Sequence, residues 1–296
     1  ILTLLIALLA LQQASAQTYD NLWKQADIVA QKDQPRSEIG VMQKIISKAS
    51  AEKDYGQLLA AEMRQMVLWK MISVDSLMPN VKRMEAEVLK VKDPALKAVR
   101  YAVLGKVYRD NHYSIEADGA SLGQREDASY YQNQREANLE KSQEFFKKAL
   151  EQPALLAKHA STEYVPLATK GVDGSSFNND LLHLIGFEVD SKDAYHLMYT
   201  YYNKVGNRGA ACLCAYKLIE KYSQDDVREV KKSKYLHTID SLIHVYQDIP
   251  EAGELAVEHY RFMERSSDAK PLDKLNYINY ALSRWGGWSR MNELRN

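Results

Sequence analysis

His237, Asp240 and His244 stand at i, i+3 and i+7, so on a helix they share a face, and imidazole plus carboxylate is a metal-ligand set. Two helical turns hold the two imidazoles about 10 Å apart, too far for one ion with ligand bonds near 2 Å. The three therefore read as a polar stripe. Cys212 and Cys214 are the only cysteines. At a spacing of two on a helix they point about 200° apart, which is wrong for a mutual disulfide, so they read as small buried hydrophobes. His183 lies in an apolar segment and His159 near a loop, and neither has a nucleophile or carboxylate pattern beside it. Asp118-Gly119 and Asp173-Gly174 are turn dipeptides without the alternating acidic ligands of a calcium loop. The chain has no nucleophile elbow, zinc-protease helix, P-loop or dinucleotide fingerprint. The expectation is a protein with no catalytic residue, no cofactor and no metal site, hence not an enzyme.

The elements that carry these residues are helical. Lys plus Arg and Asp plus Glu each number 39, so the formal charge is zero, which argues against a general nucleic-acid binder. The basic run Lys231-Lys232-Ser233-Lys234 reads as a solvated helix face. Glycine and proline are sparse, good helix formers abound, and apolar residues recur with helical period. Helices are predicted over about 19–32; a second with Ile39, Met42, Ile45, Ile46 and Ala49 inward; and a third capped by Asp54, with Leu58, Leu59, Met63, Met66 and Val67 inward. Asp75 or Ser76 caps a fourth with Val81, Met84, Val88 and Val91, and Asp93-Pro94 opens a fifth through Tyr108. Later helices span about 226–247, 251–265 and 271–285.

Short links force consecutive helices to pack antiparallel, and hairpins that cannot bury a face alone stack into solenoids. Leu104-Gly105 and Tyr108 match the first helix of a tetratricopeptide (TPR) repeat, and Ser142, Phe146 and Ala149 match its second, with Pro153 near the usual terminal proline. A normal repeat leaves twelve residues between that Gly and that small residue. Here about 25 more are inserted, and roughly 111–133 reads as a surface loop. Its Tyr113, Tyr130 and Tyr131 form a candidate interaction loop. A second irregular stretch covers 153–179, after which Asn179 or Asp180 caps an apolar helix. Tyr202, Gly206 and Ala211 then take repeat-like positions. The predicted fold class is all-α: antiparallel helical hairpins stacked as a degenerate TPR-like solenoid over 17–296.

Ile1 to Leu11 is an apolar run followed by the small-x-small site Ala14-Ser15-Ala16. That reads as a signal peptide over 1–16, cut before Gln17. It is too short for a membrane span. The mature chain is expected in the periplasm or cell envelope, with no membrane span. Without an initiator Met or basic lead, and with 285–296 (Trp-Gly-Gly-Trp, then an uncapped turn) as its close, the chain reads as trimmed at both ends.

Three stretches bear on family. PhePheLysLysAlaLeu (145–150) is followed by LeuLeu (155–156), GluTyrValProLeuAlaThrLysGly (163–171) and AsnAspLeuLeuHisLeuIleGlyPhe (179–187). The series resembles a passage in the helical amino-terminal region of large alpha-2-macroglobulin-family proteins of Bacteroidetes. TyrAspAsnLeuTrpLysGln (19–25), directly after a signal peptide, is also similar to theirs. The resemblance departs at 180–187, where Leu, Leu-Ile and Gly replace the family's Tyr and Ala-His-Arg. It implies a non-catalytic amino-terminal scaffold of an exported protease inhibitor, with β-sandwich domains, bait segment and any thioester beyond Asn296. No Cys-x-Glu-Gln thioester occurs in this chain, so no functional residue transfers. The implied partner is protein: the molecule's own downstream domains or an envelope component, with no nucleic acid. The alternative is a free-standing exported TPR-like adaptor for a protein, peptide or glycan.

Overall fold

The computed structural model describes residues 19–73, 76–121, 128–224, 229–265 and 269–295, with backbone alone at 113–121, 128–131, 223–224 and 229–234. The signal peptide read at 1–16 lies outside them. The chain is all-helical, and no strand forms among the described residues. No described helix is long and apolar enough to cross a membrane.

The chain divides into two compact units. The first takes residues up to Ala149 plus His159–Lys170. It contains α1 (19–30), α2 (Pro35–Glu52), α3 (Tyr55–Ile72), α4 (Leu77–Val88), α5 (Pro94–Ser121), α6 (Ala128–Ala149) and a 3-10 turn, Ser161–Tyr164. Pro35 starts α2 at a position whose N–H has no partner in any helix. Asp54 caps α3 by accepting from Gln57 N at 3.1 Å, and Asp93 caps α5 by accepting from Leu96 N at 2.8 Å. Ala26, Ile39, Met42, Ile45, Ala49, Leu58 and Leu68 form one core cluster. Met66, Val81, Met84, Val88, Leu104, Tyr108 and Phe145 form another.

Several expectations need correction here. Val67 faces solvent, and Ile45 rather than Ile46 is fully buried. Val91 is only half-buried, past the end of α4. Ser76 occupies the N-cap of α4 without bonding to it, because its hydroxyl donates backward to Trp69 O at 2.8 Å. Asp75 lies outside the described residues. The loop expected over 111–133 is mostly helix: α5 runs on to Ser121 and α6 starts at Ala128. Gly119 lies within α5. One helical glycine costs only about 1 kcal/mol, which hairpin packing offsets. His112 Nδ1 meets Arg135 O at 3.0 Å, so the two helices are joined at the foot of the insert.

The second unit takes Leu150–Lys158 and Gly171–Asn296. It contains α7 (Pro153–Leu156), α8 (Leu181–Val189), α9 (Lys192–Lys204), α10 (Arg208–Gln224), α11 (Glu229–Tyr246), α12 (Ala252–Arg265), α13 (Pro271–Trp285) and a closing 3-10 turn, Ser289–Leu294. Gly206, at φ +79°, makes the left-handed turn between α9 and α10 that a side chain would strain. The closing turn, which has no side-chain cap, is fastened by packing and long side chains instead. Met291 is fully buried there, Trp288 Nε1 donates to Glu254 at 2.7 Å, and Arg290 bonds the same carboxylate.

Candidate functional site

Tyr113 lies on α5, and Tyr130 and Tyr131 lie on α6. Their side chains are outside the described set, as are those of Lys231, Lys232 and Lys234. The tyrosines therefore sit on helices rather than on the surface loop the sequence predicted.

The polar stripe on α11 is split among separate partners. Asp240 takes His259 Nε2 of α12 at 3.0 Å, His237 meets Ser241, and His244 meets Gln247. Among the described residues, no three His, Cys, Asp or Glu stand together as a metal set. Cys212 and Cys214 are unpaired and buried on α10, and burial pushes both thiols up. His183 is fully buried, stacked on Phe177 with centroids 4.0 Å apart, and burial lowers its pKa to about 4. Its helix is capped by buried Asp180, which accepts His183 N at 2.8 Å and the Tyr202 hydroxyl at 2.9 Å. Cys212, Cys214, Asp180, His183 and Tyr202 are all buried within their unit.

One place in the first unit is open. A cleft of about 480 Å³ lies where the amino ends of α3 and α5 meet the 3-10 turn. Gly56 makes it possible. A Cβ there would fall on Val165 O and stand 2.5 Å from Tyr164 C, so only glycine lets 164–165 return onto the first turn of α3. The capping carboxylates of Asp54 and Asp93 both line the cleft, with Lys53, Tyr55, His159, Glu163 and Tyr164. Each aspartate spends one oxygen on its cap; the other has no partner among the described residues. Glu163 accepts from Ala160 N at 2.9 Å and meets His159 Nδ1 at 2.8 Å. Burial alone would raise Glu163, but His159 and the Ala160 N–H outweigh it and hold the carboxyl below its usual range.

Tyr164 is only 3% exposed, yet its hydroxyl makes no hydrogen bond among the described residues. Burial, then the charges of Asp93 and Glu163, push the phenol up. The phenol is therefore neutral, able to donate or accept. The sequence marks Asp54 and Asp93 as caps, and nothing local in 163–171 marks it as their neighbour. Their meeting depends on contact between segments about a hundred residues apart, which no local period encodes. His159–Glu163, at i, i+4, was the one legible local signal and was missed.

This arrangement offers acceptors and aromatic faces, with no activated nucleophile and no general base paired to one; it can hold a ligand. No protein-family model, no curated protein and no solved structure matches the chain.

Proposed function

We propose that this chain is a non-catalytic scaffold: the amino-terminal interaction module of an exported alpha-2-macroglobulin-like protease inhibitor, built as a degenerate TPR-like solenoid. One observation carries the repeat reading. The residues read as repeat positions on α5 and α6 touch one another, which supports it. Ser142 Oγ donates to Gly105 O at 2.8 Å, and Phe146 fills the notch at Gly105, where a Cβ would stand 2.6 Å from the ring. Contacts running mainly between consecutive helices support the same reading, because repeat arrays bury each pair against its neighbours.

The inhibitor part rests on the resemblance at 145–187 and on the signal peptide. The test uses the full-length protein and a broad-specificity protease. Cleavage at a discrete downstream bait should trap the protease, blocking large substrates and sparing small ones. A protein that neither traps nor is cut at a discrete site sinks the inhibitor reading. The free-standing adaptor then takes its place, and the cleft beside Tyr164 is the observation that favours it. Export is checked by mass spectrometry of the native protein, which should begin at Gln17; retention of Ile1 to Ala16 would overturn it.

A further inference from the structure

We propose that the loop 171–179 is an acid-released strap: when the His183 imidazole takes up a proton, Phe177 leaves its seat and the loop opens while α8, α9 and α10 stay folded. This inference is independent of the inhibitor reading. The strap is clamped on one ring. Phe177 lies flat on the imidazole, with centroids 4.0 Å apart and planes 3° from parallel, and Phe187 meets the imidazole edge-on at 4.4 Å. Gly171 passes so close that a Cβ would stand 2.6 Å from the same ring. One ring nitrogen bonds the Val172 backbone in the sense that favours a ring N–H, and Nε2 is buried without a hydrogen-bond partner. Nδ1 therefore carries the hydrogen of the neutral ring, and Nε2 is the atom an added proton must take. The new N–H would have no acceptor, in a residue only 1% exposed. A buried charged donor left unpaired is costly, and moving Phe177 aside to admit water relieves it.

Little else holds the strap. Its backbone N–H groups bond within it: Gly174 N to Gly171 O, Ser176 N to Asp173 O, and Phe177 N and Asn179 N to Gly174 O. Two side-chain bonds tie it outward, Asn207 Nδ2 to Ser176 O at 2.9 Å and Ser176 Oγ to Glu251 at 2.8 Å. Asp173, Asn178 and Asn179 all hold positive φ, a left-handed backbone that Asp and Asn tolerate at some cost. A segment held this way opens at lower free energy than the helices beneath it.

Titratable groups on the packed elements do not answer the ring. Asp180 of α8 is engaged by His183 N and the Tyr202 hydroxyl of α9, and Tyr195 of α9 is bonded to Asp190. Cys214 of α10 is buried and neutral, and α7 carries no titratable side chain. Asp173 of the strap feels Glu254, Lys217 and Glu251. Burial raises both Asp173 and Asp180, so their protonation favours the closed strap as pH falls, opposite in sign to the imidazole.

The test is amide hydrogen exchange of the full chain by NMR, corrected for intrinsic rates, at pH 7 and pH 5. With the imidazole at 6.5 when open and about 4 when closed, the open fraction rises by at most about twentyfold over that range. The amides of Ser176, Phe177 and Asn179 should be less protected than those of α9 and α10 at both pH values. They should lose at least about fivefold in protection between the two, with helical circular dichroism unchanged. His183→Gln keeps a donor for Val172, and His183→Phe keeps a flat ring under Phe177; neither should show the loss. If one variant fails to fold at pH 7 the other decides, and if both fail, the parent's own His183 titration decides: its midpoint should lie below 6.5. Strap amides as protected as the helices, a loss under fivefold, a loss that persists in a folded variant, or an imidazole that titrates at 6.5 would each overturn the proposal.

Discussion

The α5/α6 and α8/α9 hairpins meet the same demand with different side chains. In each, a glycine on the first helix leaves a notch, and a large side chain from the second fills it. At Gly105 the filler is the Phe146 ring, with Ser142 bonded to the same glycine's carbonyl. At Gly186 it is the thioether of Met198, fully buried, with no side-chain bond to that glycine's carbonyl among those described. A ring and a serine at fixed spacing make a pattern that can be read in sequence. A methionine adapts its shape to the hole, so it leaves no pattern. The same close approach is thus conspicuous in one hairpin and silent in the other. The α8/α9 hairpin also carries a polar interior, with Asp180, His183 and Tyr202 all buried.

Phe146→Ala tests the first hairpin hardest. Truncating a buried aromatic wedge should cost about 3–5 kcal/mol in urea unfolding. A loss under about 1 kcal/mol would show that the ring does not hold the pair.

Next in size is the pH response of the second hairpin. Burial holds His183 near 4 against an ordinary 6.5, so the unfolded chain takes up its proton first as pH falls. The neutral imidazole's contribution is fully present above pH 6.5 and is lost between pH 6.5 and 4. The drop corresponds to about 3 kcal/mol as an upper bound. His183→Phe should flatten the slope in that window, measured by denaturant midpoints at pH 7, 5.5 and 4.5. An imidazole that titrates near 6.5 by NMR in the folded chain would refute the buried reading.

The two glycines compare filler against filler. Gly105→Ala should cost about 2 kcal/mol, because a packed ring has to translate bodily. Gly186→Ala should cost about 1 kcal/mol, since three rotatable bonds let Met198 swing aside. The reverse order in paired thermal melts would break the distinction between rigid and adaptable wedges. Smallest is Ser142→Ala, which removes one buried hydrogen bond and should cost about 1 kcal/mol. A neutral result there would leave the ring alone as the lock.

Local rules carried far along this chain. The apolar stripes placed Met42, Ile45 and Ala49 in the core, the capping rule found Asp54 and Asp93, and cysteine spacing kept Cys212 and Cys214 apart. These succeed because period, cap and spacing are properties of a few neighbouring residues. Val67 shows where such rules stop: its stripe position was right for a helix face, but which edge of the face is covered depends on the neighbours. The 111–133 insert failed for a related reason. Gly119 and the polar residues weaken a helix locally, yet α5 runs on to Ser121, with His112 bonded to α6 at Arg135.

By itself, then, the sequence determined that this chain is helical, where most helices begin, and that Gly105 and Ser142 belong to facing helices. Tertiary structure alone decided that Gly56 admits the 164–165 backbone, that two helix caps and Tyr164 share a cleft, that Met198 enters Gly186, and that Arg290 and Met291 fasten the closing turn. The physical reason is range. Helix formation is settled by hydrogen bonds four residues apart, whereas a cleft or a notch exists only when residues tens to a hundred positions apart exclude water between them.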